Sequence, residues 1–162
     1  MTRFVTLVAV GLALGMLAPI PGPVFADSAK PVVAANGLVK VKSAYRLEET
    51  VARIKADIAK KGITFFLAVD QAKLAADAGI KIQPSTLLIF GNPALGTQFM
   101  TRNPESGIDW PVRVLVYQAA DGTVFAEYTD FTWIARRHGI MDDAPFKMAS
   151  EVIASITSSV AK

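Results

Sequence analysis

The chain has 162 residues, room for one domain or at most two small ones, with 52% hydrophobic residues, 19% charged residues and a formal net charge of +3. That composition excludes a disordered polymer, a fibrous repeat and a polytopic membrane protein. Seventeen Lys and Arg stand against fourteen Asp and Glu, scattered rather than gathered into a basic stripe, so nucleic acid is not an expected partner. The absence of Cys excludes a disulfide framework, a thiol nucleophile, a Cys-ligated zinc and a lipid-modified N-terminal Cys.

Residues 1–26 carry Arg3 near the start, an apolar stretch over 4–17, and then Pro19, Pro21, Gly22 and Pro23 before Val24, Phe25 and Ala26. Basic, apolar and small-residue segments in that order predict a secretory signal peptide cut between Ala26 and Asp27. The apolar run is shorter than the ~20 residues needed to cross a bilayer, which argues against an uncleaved anchor and for no stable membrane insertion after cleavage. The expected location is the periplasm, or outside the cell in a one-membrane host. Residues 27–36, small, polar or Pro-containing, are expected to form a mobile leader, and 37–162 a single α+β domain.

Along that domain, Val39 and Val41 alternate with Lys40 and Lys42 and predict a half-buried first strand. Leu47, Val51, Ile54 and Ile58 recur at helical spacing, with Glu48 and Glu49 in the first turn and Gly62 placed for a left-handed cap, which predicts an amphipathic helix. The apolar, aromatic run 63–69 has strand length, and Asp70 is placed to cap a short Ala-rich helix ending at Gly79. The run 86–90 is continuously apolar and predicts a second buried strand. Segments 111–118 and 123–129 read as strands of a hairpin whose turn holds Asp121-Gly122. Asp130 then caps a short helix stopped by Gly139. Phe146, Ala149, Ile153, Ile156 and Val160 predict a long final amphipathic helix.

The order predicts an α+β two-layer sandwich, an antiparallel sheet with helices gathered on one face. Its other face must meet solvent, a ligand or a second subunit.

Three segments carry a resemblance: EETVARIKADIAKKGITFF, PSTLLIFGNPALGTQFMTRN, and GIDWPVRVLVYQAADGTVFAEYTD followed by ARRHGI. Together they resemble the bacterial and archaeal family called domain of unknown function 302, from about Leu38 onward. The resemblance implies a β-α-β4-α sandwich related in outline to the TATA-binding-protein fold, frequently dimeric, and no established activity. Members of that family commonly place a His directly after the Asp that closes the second strand. Here Asp70 is followed by Gln71, which carries no proton near neutral pH.

Candidate chemistry is sparse. Gly91, Asn92, Pro93, Gly96 and Thr97 follow a buried strand, where backbone can approach an anion, but no Gly-Lys-Ser/Thr follows; the alternative is that Asn92 and Pro93 simply turn the chain. His138 is the only His and stands beside Arg136 and Arg137 at a helix C-terminus, where the helix dipole gives it a structural reason. With no Cys and one His only oxygen ligands remain, without calcium-loop spacing, so no metal is expected; no cofactor is expected either. A Gly-x-Ser-x-Gly elbow is missing as well. Arg113 interrupts an apolar strand, and a four-residue hairpin loop would bring it opposite Tyr128, on one face with Leu115, Tyr117, Val124 and Ala126. That floor, with Asn92 at its rim, suits a small anionic or aromatic ligand; alternatively it is a subunit contact. The leading expectation is therefore an exported, non-enzymatic small-ligand or partner-binding domain that forms a homodimer. The alternatives are an enzyme combining Asn92, Arg113 and Tyr128 with a carboxylate such as Asp109, and a purely structural dimer.

Overall fold

The computed structural model describes residues 32–141 and 144–161. Segment 1–26, with its expected cut between Ala26 and Asp27, lies outside the described residues. In chain order the elements are β1 (Leu38–Lys42), α1 (Leu47–Lys60), β2 (Thr64–Asp70), α2 (Gln71–Asp77), β3 (Ser85–Gly91) and α3 (Pro93–Arg102), then a 3-10 helix (Pro104–Asp109), β4 (Val112–Gln118), β5 (Val124–Thr129), α4 (Phe131–Arg137) and α5 (Ala144–Ser158).

The five strands form one antiparallel sheet in the order β1-β5-β4-β3-β2. Helix α1 packs on β2, β3 and β4, and α5 packs against α1, α3 and α4, so the expected two-layer α+β sandwich is what forms. Ile54 and Ile58 of α1, Leu88, Phe90, Val114 and Val116 of the sheet, and Phe146, Ile153 and Ile156 of α5 close the core between the layers.

Local signals explain where the helices start and stop. Asp70 accepts the backbone N–H of Lys73 at 2.9 Å and starts α2. Asp130 accepts that of Trp133 at 3.0 Å and starts α4, while its second oxygen accepts the Ser150 hydroxyl at 2.9 Å and ties α4 to α5. Gly62, Gly79 and Gly139 follow α1, α2 and α4 with φ of 65°, 74° and 63°, the left-handed exit that the sequence placed there.

Four features differ from the sequence reading. The segment after Asn92, read as a glycine-containing stretch that approaches an anion or simply turns the chain, is the ten-residue helix α3: Asn92 accepts from the backbone of Ala94 and Leu95, and Pro93 opens the helix. Gly96 lies in its middle because the Trp110 ring sits against it, where a Cβ would come within 2.0 Å. The run over 63–69, together with the strand read as buried, instead meets a face that no described element covers. Leu88 and Phe90 point into the core while Leu87 and Ile89 point away, and β2 is an edge strand with Phe66 and Leu67 each 46% exposed. Of the leader, residues 32–36 are described, and there Val33 bridges Val39 and Gly37 donates to Ala34 at 2.8 Å, folding that stretch back on β1.

The fourth difference is register. Leu115 pairs with Glu127 and Gln118 with Val124, one residue away from the expected pairing of Gln118 with Thr123. Ala119 and Thr123 close the hairpin, Gly122 donates to Ala119 at 2.9 Å, and Gly122 takes φ 85°. A tight turn followed by one left-handed glycine is a bulge that adds a residue to one strand. A one-residue offset reverses which side chains share a face.

Candidate functional site

The open face of the sheet is set by that register. Three rows cross it: Leu67, Ile89 and Arg113; Val69, Leu87, Leu115, Glu127 and Lys40; and Ser85, Tyr117, Phe125 and Lys42. Arg113, Leu115 and Tyr117 therefore lie on the uncovered side as expected. Tyr128, Val124 and Ala126 do not: they point into the core, Tyr128 only 4% exposed, and Phe125, Glu127 and Thr129 take the outward positions. Burial pushes the Tyr128 phenol up to about 12, with the Thr157 hydroxyl opposing and Asp130 adding to the rise. Asn92 is the N-cap of α3, with its side-chain oxygen held by the Ala94 and Leu95 N–H groups at 3.0 and 3.4 Å. The combination of Asn92, Arg113 and Tyr128 is thus not assembled.

What the fold does bring to Arg113 is Asp109, from the end of the 3-10 helix, and with it two groups from the end of α4. Asp109 Oδ2 lies 2.7 Å from His138 Nε2, and Oδ1 lies 3.1 Å from Arg137 and 3.5 Å from Arg113. The His138 and Asp109 side chains are 7% and 10% exposed, whereas both arginines are 49% exposed. Asn103 fixes the same corner by donating to the His138 carbonyl at 3.0 Å, and Arg113 also donates to the Ile108 carbonyl at 3.3 Å. One carboxylate thus anchors three donors from β4 and α4. Two guanidiniums with five N–H groups each exceed the acceptors that Asp109 and Ile108 offer, so donors on the exposed side remain for a solvent-side anion. The depression at this corner has room for about one water, at roughly 20 Å³, so a larger ligand would lie on the face rather than in it.

A larger hollow lies farther along the same face. A shallow depression of about 470 Å³, open to solvent, is lined by Ile82, Pro84, Ser85, Leu115, Tyr117, Lys40 and Glu127. Tyr117 donates its hydroxyl to Glu127 at 3.0 Å, and Lys40 stands 3.6 Å from the same carboxylate oxygen and over the Tyr117 and Phe125 rings. The Tyr117 hydroxyl, followed by Glu127, raises the Lys40 ammonium above its ordinary value. Leu115 joins the two ends, one pleat from Arg113 and one from Tyr117.

The sequence reading grouped Asp109 with Arg113 only in its enzyme alternative, together with Asn92 and Tyr128, and gave His138 a helix-end role. It does sit at that end, capping α4. Its partner is 29 positions earlier in the chain, a separation that local pattern does not register. Among the described residues no three side chains of the metal-binding types gather where they could hold an ion.

Comparison with known proteins places this fold. A crystal structure of an uncharacterized conserved protein DUF302 from Bacillus stearothermophilus matches with a TM-score of 0.68 at 18% identity, over 78% of this chain and 99% of that one. Two curated relatives, Fluoride-specific ion channel FluC 1 of Brucella suis and FluC 1 of Brucella abortus, are each 31% identical over 151 residues. The aligned region is 86% of this chain but only 59% and 56% of theirs, so the chain spans little more than half the length of those proteins. Among the described residues no helix is long and apolar enough to cross a membrane. Residues 39–162 match the family described as Domain of unknown function DUF302, and the chain belongs to that family.

Proposed function

We propose that the chain is an exported binding domain that holds a small organic anion with an aromatic or aliphatic body on the open face of its sheet. The observation that carries this reading is the half-exposed Arg113 on the open face, one pleat from Leu115 and the shallow 470 Å³ depression beside it. An apolar body would rest on Leu115, Ile82 and the Tyr117 ring. Its acid group would take the outward donors of Arg113, a guanidinium being suited to planar, two-point recognition of a carboxylate. Export rests on the signal-like order of residues 1–26.

The test is a thermal-shift series with aromatic carboxylates, each matched against its neutral amide. An acid that stabilises where its amide does not, and loses that effect in Arg113→Met while Arg113→Met itself still folds, supports the reading. Equal effects of acid and amide, or an acid that binds Arg113→Met undiminished, overturns it.

A second reading is favoured by the relatives named as fluoride channels: this domain works beside an anion-conducting membrane protein. Sodium fluoride in the same series, with sodium chloride as the control, tests whether the domain itself senses that anion. Stabilisation by fluoride alone favours the second reading, and none disfavours it.

A further inference from the structure

We propose that Arg113 and Arg137 form a clamp for a doubly charged tetrahedral oxyanion, the phosphoryl group of a phosphomonoester, with the Thr129 hydroxyl as its third donor. This rests on the small-anion reading above and names the acid group that suits the site. Arg113 Nη2 and Arg137 Nη1 lie 3.5 and 3.1 Å from one and the same atom, Asp109 Oδ1. Two nitrogens that close to a shared oxygen are near each other whatever the angle between them. A phosphoryl group whose oxygens each accept at about 2.8 Å bridges nitrogens up to roughly 7 Å apart, so one anion reaches both guanidiniums.

Bringing two arginines together is unfavourable unless a carboxylate offsets the repulsion, and Asp109 does so from a position only 10% exposed. A free carboxylate there would repel an oxyanion. Its Oδ1 is taken by the two guanidiniums and its Oδ2 by His138, so one carboxylate between two arginines leaves a surplus of positive charge at the rim. Thr129 takes an outward position on β5 and lines the same small depression as Arg113 and Asp109. Its hydroxyl makes no hydrogen bond among the described residues. The depression, with room for about one water at roughly 20 Å³, seats one phosphoryl oxygen, and the rest of the group lies on the rim, where both arginines are 49% exposed.

A carboxylate brings two oxygens in one plane and a single charge, which suits one guanidinium fork. A phosphoryl group brings three oxygens and about two charges at neutral pH, which matches two guanidiniums and a hydroxyl. Arg136 is next to Arg137 in the chain, but it donates to the Thr132 carbonyl at 3.2 Å and to the Thr132 hydroxyl at 3.4 Å, and it has no contact with Asp109. It serves as the control for positive charge alone.

Isothermal titration calorimetry at neutral pH and constant ionic strength should show phenyl phosphate binding at least about tenfold more tightly than benzoate. Arg137→Met should remove that preference, Thr129→Val should weaken phenyl phosphate by about three- to tenfold, and Arg136→Met should leave it within about twofold, each variant keeping the folded circular-dichroism spectrum. Equal affinity for phenyl phosphate and benzoate, or a preference that survives Arg137→Met, overturns the clamp and leaves the small-anion reading standing. Equal losses in Arg136→Met and Arg137→Met reduce the effect to general positive charge and overturn it too. Parent chain that sediments with phosphatidic acid vesicles, and not with phosphatidylcholine vesicles or as Arg137→Met, assigns the phosphoryl group to a lipid headgroup in support of the clamp; phenyl phosphate binding without sedimentation assigns it to a soluble ester. No binding to phenyl phosphate, benzoate or either vesicle overturns the clamp and the small-anion reading together.

Discussion

Replacing Asp109 with Ala should cost the fold far more than replacing either arginine that it holds. The 2.7 Å contact with His138 joins side chains only 7% and 10% exposed. A shielded hydrogen bond to a charged group contributes about 1.5–3 kcal/mol, and its loss leaves the imidazole without that partner. The Arg137 and Arg113 contacts, at 3.1 and 3.5 Å and half exposed, add about 0–1 kcal/mol between them. The sum is a loss of roughly 1.5–4 kcal/mol for Asp109→Ala, against less than about 1 kcal/mol for Arg113→Met. For a domain of this size each kcal/mol moves the melting temperature by roughly 3–5 °C, so Asp109→Ala should melt about 10 °C lower than the parent chain. Circular-dichroism melts of the two variants side by side make the measurement. An Asp109→Ala protein that melts with the parent, or an Arg113→Met protein that falls as far, would show that the carboxylate does not anchor this corner.

The parts of the fold that were legible in sequence are those whose cause is local. Helix α1 has its apolar spacing, its acidic first turn and its exit glycine within one short stretch, and Asp70 and Asp130 sit directly before the helices they cap. Strand faces were less legible because their period is two. The single bulge residue Gly122 was enough to move Tyr128 from the open face to the core. Helix α3 was hidden because Asn-Pro begins turns and helices alike, and its central Gly96 reads as a breaker until Trp110 is seen against it. An apolar strand reads as buried, yet an edge strand on an uncovered face breaks that rule, as Phe66 and Leu67 do. The Asp109 cluster lay beyond local reading because its members come from the 3-10 helix, β4 and the end of α4. The sequence signal available was a lone His beside two arginines, and it points to a helix end as readily as to a carboxylate.

Four further outcomes are expected. Gly96→Ala gains about 1 kcal/mol of helix propensity, but its Cβ would stand 2.0 Å from the Trp110 ring; the overpacking cost of about 1–3 kcal/mol or more should prevail, lowering the melting temperature and shifting tryptophan emission, and an unchanged melt with unchanged emission would contradict the packing. Tyr128, raised from 10.0 to about 12 by burial, keeps in the native state a proton that the unfolded chain releases, so stability is whole below pH 10 and falls from there toward pH 12, by up to about 2–3 kcal/mol. Denaturant titrations of Tyr128→Phe should show a smaller alkaline loss than the parent, and equal losses would refute it. Intact-mass measurement of the natively produced protein should give a chain beginning at Asp27, and a mass that keeps residues 1–26 would refute export by cleavage. Finally, Gly122 should be the residue that sets the hairpin register: its φ of 85° is left-handed, and a Cβ there would meet only the Gln118 side-chain nitrogen at 3.6 Å, so the cost of substitution is conformational rather than steric crowding by neighbours. Gly122→Val should therefore lose about 1–2 kcal/mol, and Gly122→Asn distinctly less, because asparagine tolerates this region and a β-branched residue does not. Equal denaturation midpoints for the two variants would mean that the turn can adopt another conformation, and the placement of Arg113 and Tyr128 on opposite faces would then lack the cause given to it.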